Sequence, residues 1–126
     1  MPGVFEISVA TEFSAAHSLQ GYPGNCAHVH GHNWTVEVFV RCRKLNEIGI
    51  AIDFREVKRA IKESIESLDH SCLNEHPAFK YTNPSSENIA KLLYKELSAK
   101  ISSENAKISR VKVSETPNTG ACYWEE

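Results

Sequence analysis

The chain lacks the features that would place it at a membrane, in a secreted framework or on nucleic acid. No apolar run approaches the length needed to span a bilayer. The opening "MPGVFEISVA" has no basic n-region of the signal-peptide kind, which leads us to expect a cytoplasmic protein. Lys and Arg number 14 against 16 Asp and Glu, a formal net charge of -2, and a general nucleic-acid binder would carry a basic excess instead. The four cysteines (Cys26, Cys42, Cys72 and Cys122) form no CxxC pair. With a charged fraction of 24% and a hydrophobic fraction of 41%, a chain of 126 residues can build a real core without disulfides, so reduced thiols are expected. Repeats, low-complexity tracts and linkers are also missing, and a single domain over 1–126 follows from the length.

What is present is an alternation of short patterns. Residues 4–16, "VFEISVATEFSAA", read as a strand. Residues 33–43 alternate cleanly, with Trp34, Val36, Val38 and Val40 on one face and Thr35, Glu37, Phe39 and Arg41 on the other. "KLNEIG" then reads as a hairpin connection into a third strand, "IAIDF", at 50–54. Asp53 stands three residues before Glu56 in capping-box spacing, and Phe54, Val57, Ile61, Ile65 and Leu68 recur at helical intervals. "NPSSEN" opens a second helix with the stripe Ile89, Leu92, Leu93, Leu97 and Ile101. "RVKVSET", at 110–116, closes as a strand, with Pro117 and Gly120 marking the turn after it. Hairpin strands followed by helices predict an α+β fold, an antiparallel sheet covered on one face. Two helices leave the other face and the sheet edges open, which predicts oligomerisation.

The concentrated chemistry lies in "NCAHVHGHNW", where Cys26, His28, His30 and His32 fall within ten residues. Residues two apart on a strand point the same way, so His30 and His32 share a face. Zinc takes such imidazole nitrogens at about 2.0–2.1 Å, and a catalytic zinc uses three protein ligands with one position open. His17, after the small residues of "FSAA", is the best candidate for the third ligand, with His28 as the alternative. Cys26 reads either as a fourth ligand that closes the site or as a catalytic thiol beside the metal. Asp69 and His70 are adjacent, which suits a proton shuttle, although a histidine near a helix C-terminus also has a purely electrostatic reason to be there. Glu115 shares the parity of Val111 and Val113, and an inward carboxylate needs a cation or several donors. Past the strand end it would simply be solvated.

Taken together, "FSAAH" (13–17), "CAHVHGH" (26–32), "IDF" (52–54), "LDHSCLN" (68–74), "NPSSENIA" (83–90), "SET" (114–116) and "GACYW" (120–124) resemble the 6-pyruvoyl-tetrahydropterin synthase family. The three residues between Cys26 and the HGH resemble its branch forming 6-carboxy-tetrahydropterin for queuosine biosynthesis. That resemblance implies a T-fold, a four-stranded antiparallel sheet with two helices on one face, assembled as a homohexamer that continues the sheet between subunits. It implies Zn2+ on His17, His30 and His32, with His28 a bystander. Cys26 would be the catalytic thiol, with Asp69 and His70 as acid–base partners. Glu115 would anchor the pterin ring, with Thr116, Ser85 and Ser86 as further substrate contacts. The implied activity is a carbon–carbon lyase acting on 7,8-dihydroneopterin triphosphate. Ser85 departs from the threonine frequent at this position but keeps the hydroxyl.

Overall fold

The computed structural model describes residues 3–21 and 28–126. Two long strands, β1 (Phe5–His17) and β2 (His30–Cys42), pair antiparallel along their whole length, from Phe5 opposite Cys42 to His17 opposite His30. Helix α1 (Phe54–Ile65) follows, then the short strand β3 (Ser71–Cys72), helix α2 (Ser86–Lys100), and the hairpin of β4 (Ala106–Thr116) with β5 (Thr119–Tyr123). The sheet order is β3-β1-β2-β4-β5. Only the two-residue β3 runs parallel to its neighbour; the four other strands form an antiparallel sheet.

The alternation in β2 sets the layers. Trp34, Val36, Val38 and Val40 are buried on the face covered by the helices, and between them Thr35, Glu37 and Phe39 look outward with partial exposure. Val57, Ile61 and Ile65 of α1 and Ile89, Leu93 and Leu97 of α2 fill the core against them. Directly opposite each other, Phe13 and Trp34 stack with ring centroids 5.9 Å apart. On the outer face the Arg110 guanidinium lies 3.8 Å from the Phe39 ring centroid and donates to Glu6 across β2. Such a contact combines cation–π attraction with a charge-assisted hydrogen bond.

Three expectations about the strands need correction. Residues 50–54 are not a strand. The Asn46 side chain accepts from the N–H groups of Ile48 and Ile50, both at 3.0 Å, and folds the segment on itself. Asp53 then caps α1 by accepting from the Arg55 N–H at 2.8 Å, and Phe54, expected in the stripe, is half exposed. Residues 119–123 form β5, although Gly120 reads as a breaker. Its missing Cβ is what the pairing requires, because a Cβ there would collide with the Ser114 hydroxyl and lie 3.1 Å from Lys112 Cε. Finally, β4 starts at Ala106 rather than at the expected Arg110, and it changes parity along its length. Ala106 and Ile108 are buried, and so are Val111 and Val113, because a register shift opposite Phe39 and Val40 leaves Ser109 unpaired.

Candidate active site

The inward face of β2 continues past Trp34 into His32 and His30, so the apolar stripe ends in imidazoles at the rim of the core. Antiparallel pairing puts His17 opposite His30 and Ala15 opposite His32. His17, His30 and His32 therefore meet with ring centroids 4.6–5.2 Å apart, and their candidate ligand atoms all lie within 4.8 Å of one another. Trp34 forms the floor, its ring 4.8 Å from His17 and 5.2 Å from His32, fixed by donation of its indole N–H to the Ala15 carbonyl.

The ring nitrogens are sorted by their partners. His17 Nδ1 lies 2.8 Å from the Pro84 carbonyl and His30 Nδ1 lies 2.7 Å from the His28 carbonyl. A carbonyl only accepts, so both Nδ1 atoms carry the proton, and in the neutral rings both Nε2 atoms present lone pairs. Those two Nε2 atoms are 3.1 Å apart, and His32 Nε2 is buried with no hydrogen-bond partner among the described residues. Facing lone pairs repel unless a cation lies between them. Tetrahedral zinc with nitrogen ligands requires N···N edges of about 3.3 Å, close to the observed spacing. The cluster is thus a site that could hold a metal through three Nε2 atoms. His28 contributes its backbone carbonyl as orienting partner. Burial pushes the His17 pKa down; the Pro84 hydrogen bond and the Glu115 carboxylate oppose it without reversing it.

Glu115 closes one side. Its carboxylate oxygens lie 3.9 Å from His17 Nε2 and 3.6 Å from His32 Nε2, and Ser86 Oγ donates to Oε1 at 3.4 Å. A second register shift, between Val113 and Thr116 in the β4–β5 pairing, falls at this residue. Glu115 and Ser85 line a cavity of about 610 Å³ together with Gln20 and Asn83. Ser85 caps α2, accepting from the Asn88 N–H at 3.2 Å. Thr116 is exposed, and its hydroxyl is engaged by Thr119 and the Asn118 N–H in the β4–β5 turn.

Asp69 and His70 stand beyond the end of α1, next to β1. The Ser14 N–H donates to Asp69 Oδ1 at 2.9 Å, and the His70 N–H donates to the Ser14 carbonyl. The Ser14 hydrogen bond leads in holding the Asp69 carboxyl below its ordinary pKa, with the His70 side chain adding to it. His70 has the left-handed φ of 57°, uncommon for a residue with a Cβ, and its Nδ1 is 3.0 Å from Asp69 Oδ1. That contact leaves the Nε2 side of the exposed ring without a partner among the described residues. A cavity of about 420 Å³ is lined by His70 and His32, with Ser14 and Asn33 between them. Cys26 lies outside the described residues; among those described, Cys42, Cys72 and Cys122 form no disulfide with one another.

A sequence profile of the family described as 6-pyruvoyl tetrahydropterin synthase matches residues 6–126. The chain belongs to that family. Among named members, the putative 6-carboxy-5,6,7,8-tetrahydropterin synthase of Archaeoglobus fulgidus is 38% identical over 115 residues, covering 91% of each chain. The 6-carboxy-5,6,7,8-tetrahydropterin synthase of Bacillus subtilis is 31% identical, covering 97% of this chain and 86% of its own. The solved structure of the Caenorhabditis elegans 6-pyruvoyl tetrahydropterin synthase superposes with a TM-score of 0.88 at 25% identity, covering 98% of this chain and 97% of that one. The expected T-fold is the observed one, and the chain is a pterin-synthase family member by sequence and fold.

Sequence reasoning did not single out Trp34 as the floor, the Pro84 carbonyl as the partner of His17, or Ser14 as the backbone anchor of Asp69. Two of these act through the main chain, where side-chain patterns carry no signal.

Proposed function

We propose that this chain is a zinc-dependent 6-carboxy-5,6,7,8-tetrahydropterin synthase. It converts 7,8-dihydroneopterin triphosphate, with uptake of water, to 6-carboxy-tetrahydropterin, acetaldehyde and triphosphate, an early step toward queuosine. The observation that carries this reading is the convergence of three Nε2 atoms beside Glu115, with Asp69–His70 across a cavity shared with His32. His17, His30 and His32 hold zinc, which when bound supplies Lewis acidity toward the hydroxyls of the substrate side chain. Glu115 accepts two parallel hydrogen bonds from the amino-pyrimidine edge of the pterin and orients it, steadied by Ser86. Ser85 and Thr116 border the ring. Cys26 removes a side-chain proton as thiolate, and His70, held at Nδ1 by Asp69, relays protons at Nε2. Carbon–carbon cleavage after loss of triphosphate makes the enzyme a lyase.

The names of the relatives from Archaeoglobus and Bacillus support the carboxy-forming reaction, as does the spacing of Cys26 from the HGH. The likeness to the Caenorhabditis structure favours a second reading, in which triphosphate is eliminated without the cleavage and a pyruvoyl product remains. Incubation of the pure chain with dihydroneopterin triphosphate decides by product mass. Acetaldehyde together with a carboxylated pterin is the expected result; a pyruvoyl pterin without acetaldehyde overturns it.

A cytoplasmic homohexamer is part of the proposal. Along β1 only Ala15 and Ala16 pair with β3, and β5 pairs only with β4, so both flanks of the sheet have pairing capacity to spare among the described residues. Light scattering on the pure protein tests it, with about six times the 14.1 kDa chain mass expected and a monomer overturning it. No helix among the described residues is long and apolar enough to cross a membrane.

A further inference from the structure

The side-chain amides of Asn74 and Asn83 act as strand rungs for the segment that follows His17. In the parallel pairing of β1 with β3, Ala15 stands opposite Ser71 and Ala16 opposite Cys72. β3 stops there because the chain enters the 3-10 turn Leu73–Glu75. The register nevertheless continues at the same separation of 56 residues, with Ser18 opposite Asn74. The Ser18 N–H donates to Asn74 Oδ1 at 2.8 Å, and Asn74 Nδ2 donates to the Ser18 carbonyl at 2.9 Å. A carboxamide offers one acceptor and a donor side by side, as a peptide group does, so the side chain replaces the missing backbone. Gln20 receives the same treatment from Asn83, through two bonds of 2.9 Å.

Asn83 is itself held, with its carbonyl accepting from Asn88 Nδ2 at 2.8 Å. The next residue, Pro84, provides the carbonyl that takes the Nδ1 proton of His17. His17 is therefore gripped from two places: its ring by Pro84 and the chain leaving it by Asn83, both in the loop before α2, and that chain again by Asn74 in the turn Leu73–Glu75. Misplacing that loop would release the Nδ1 proton and turn the buried ring.

We propose that Asn74 and Asn83 are positioning residues of the metal centre. They register the Pro84 carbonyl against the His17 imidazole and thereby set the metal affinity of the site. This rests on the reading of His17, His30 and His32 as a zinc site. An internal comparison exists at the opposite end of β2. There Asn105 makes the same reciprocal pair with Lys44, through bonds of 3.0 and 2.6 Å, next to the Cys42–Ala106 rung. It has the same local chemistry and no histidine to orient.

The test compares Asn83→Ala, Asn74→Ala and Asn105→Ala in the full chain. Zinc affinity is measured by competition with a chromophoric chelator, the His17 tautomer by nitrogen-15 NMR of the metal-free protein, and stability by thermal melting. Disturbing a partner of a ligating imidazole typically weakens metal binding about 10- to 100-fold. Asn83→Ala and Asn74→Ala should fall in that range and lose the fixed Nδ1–H signal of His17, while Asn105→Ala melts earlier but binds zinc like the parent. Should an alanine variant fail to fold, Asn83→Asp and Asn74→Asp, which keep the acceptor and lose the donor, are measured in its place. Parental zinc affinity and an unchanged His17 tautomer in the folded Asn74 and Asn83 variants overturn the inference. An equal loss of affinity in Asn105→Ala overturns it as well, by reducing the effect to general stability. If the parent itself binds no zinc, the zinc reading fails, and the His17 tautomer in the same variants still decides whether these amides position the ring.

Discussion

His17 and His30 face each other across the β1–β2 pair with their Nε2 atoms 3.1 Å apart, while each Nδ1 donates to a main-chain carbonyl. Two neutral imidazoles held in these tautomers have no proton to share. The arrangement makes sense around a cation, and His32 adds a third nitrogen that is buried and without a hydrogen-bond partner among the described residues.

His30→Ala should therefore abolish stoichiometric zinc binding. The parent should also melt earlier after chelation, since a ligand at 100 times its Kd stabilises by about 2.7 kcal/mol. Metal analysis and melting with and without chelator check this; a His30→Ala protein that retains one zinc per chain would contradict the ligand set.

Glu115→Ala should act on binding more than on the chemical step. Hydrogen bonds to a charged partner are worth about 1.5–3 kcal/mol, so the Michaelis constant should rise roughly 10-fold or more while zinc content stays near one. Steady-state kinetics with metal analysis distinguish this from damage to the metal site. An unchanged Michaelis constant would remove the anchor role.

Cys26→Ala should leave zinc and pterin bound and lower turnover by about 10²- to 10⁴-fold, the usual contribution of a positioned base. Retained turnover would exclude Cys26 as the base. A cobalt-substituted parent without a thiolate charge-transfer band would separately place the sulfur off the metal.

The metal-free protein should lose stability in mild acid. Burial depresses the pKa of His17 in the folded chain below its ordinary 6.5, so the unfolded chain binds the proton more readily. The contribution is complete above about pH 6.5 and fades as pH falls toward the depressed value. Denaturant melts of the parent and of His17→Gln between pH 8 and 5 test this; the His17→Gln protein should show the smaller change. Parallel curves would rule it out.

Gly120→Ala should destabilise the β4–β5 hairpin. The added Cβ meets the Ser114 hydroxyl and comes within 3.3 Å of Ser114 Cβ, so Ser114 must leave its rotamer, at a cost of about 0.5–1.5 kcal/mol. Because Ser114 precedes Glu115, pterin affinity should fall along with the melting temperature. A melting temperature unchanged from the parent would refute it.

Much of this molecule was legible without coordinates because its signals are local. The alternation from Trp34 to Val40 depends on a strand's period of two, and the stripe from Ile89 to Leu97 on a helix's period near four. That same period placed His30 and His32 on one face, and the joint occurrence of seven short motifs gave the family. Tertiary contacts decided the rest. Residues 50–54 had strand-like composition, yet Asn46 took the Ile50 N–H and Asp53 opened α1 by accepting from the Arg55 N–H, and hydrogen-bond competition defeated propensity. β5 carries Gly120, which reads as a turn until Ser114 is seen to occupy the space of a Cβ. The bulge at Ser109 reverses the parity of β4, and no pattern in β4 alone announces where a neighbour strand will slip. Sequence by itself determined which side chains can ligate, cap and pack, since those properties belong to residue type and spacing. Only the fold determined that His17 meets His30, because that contact depends on which strand pairs with which, and in what register.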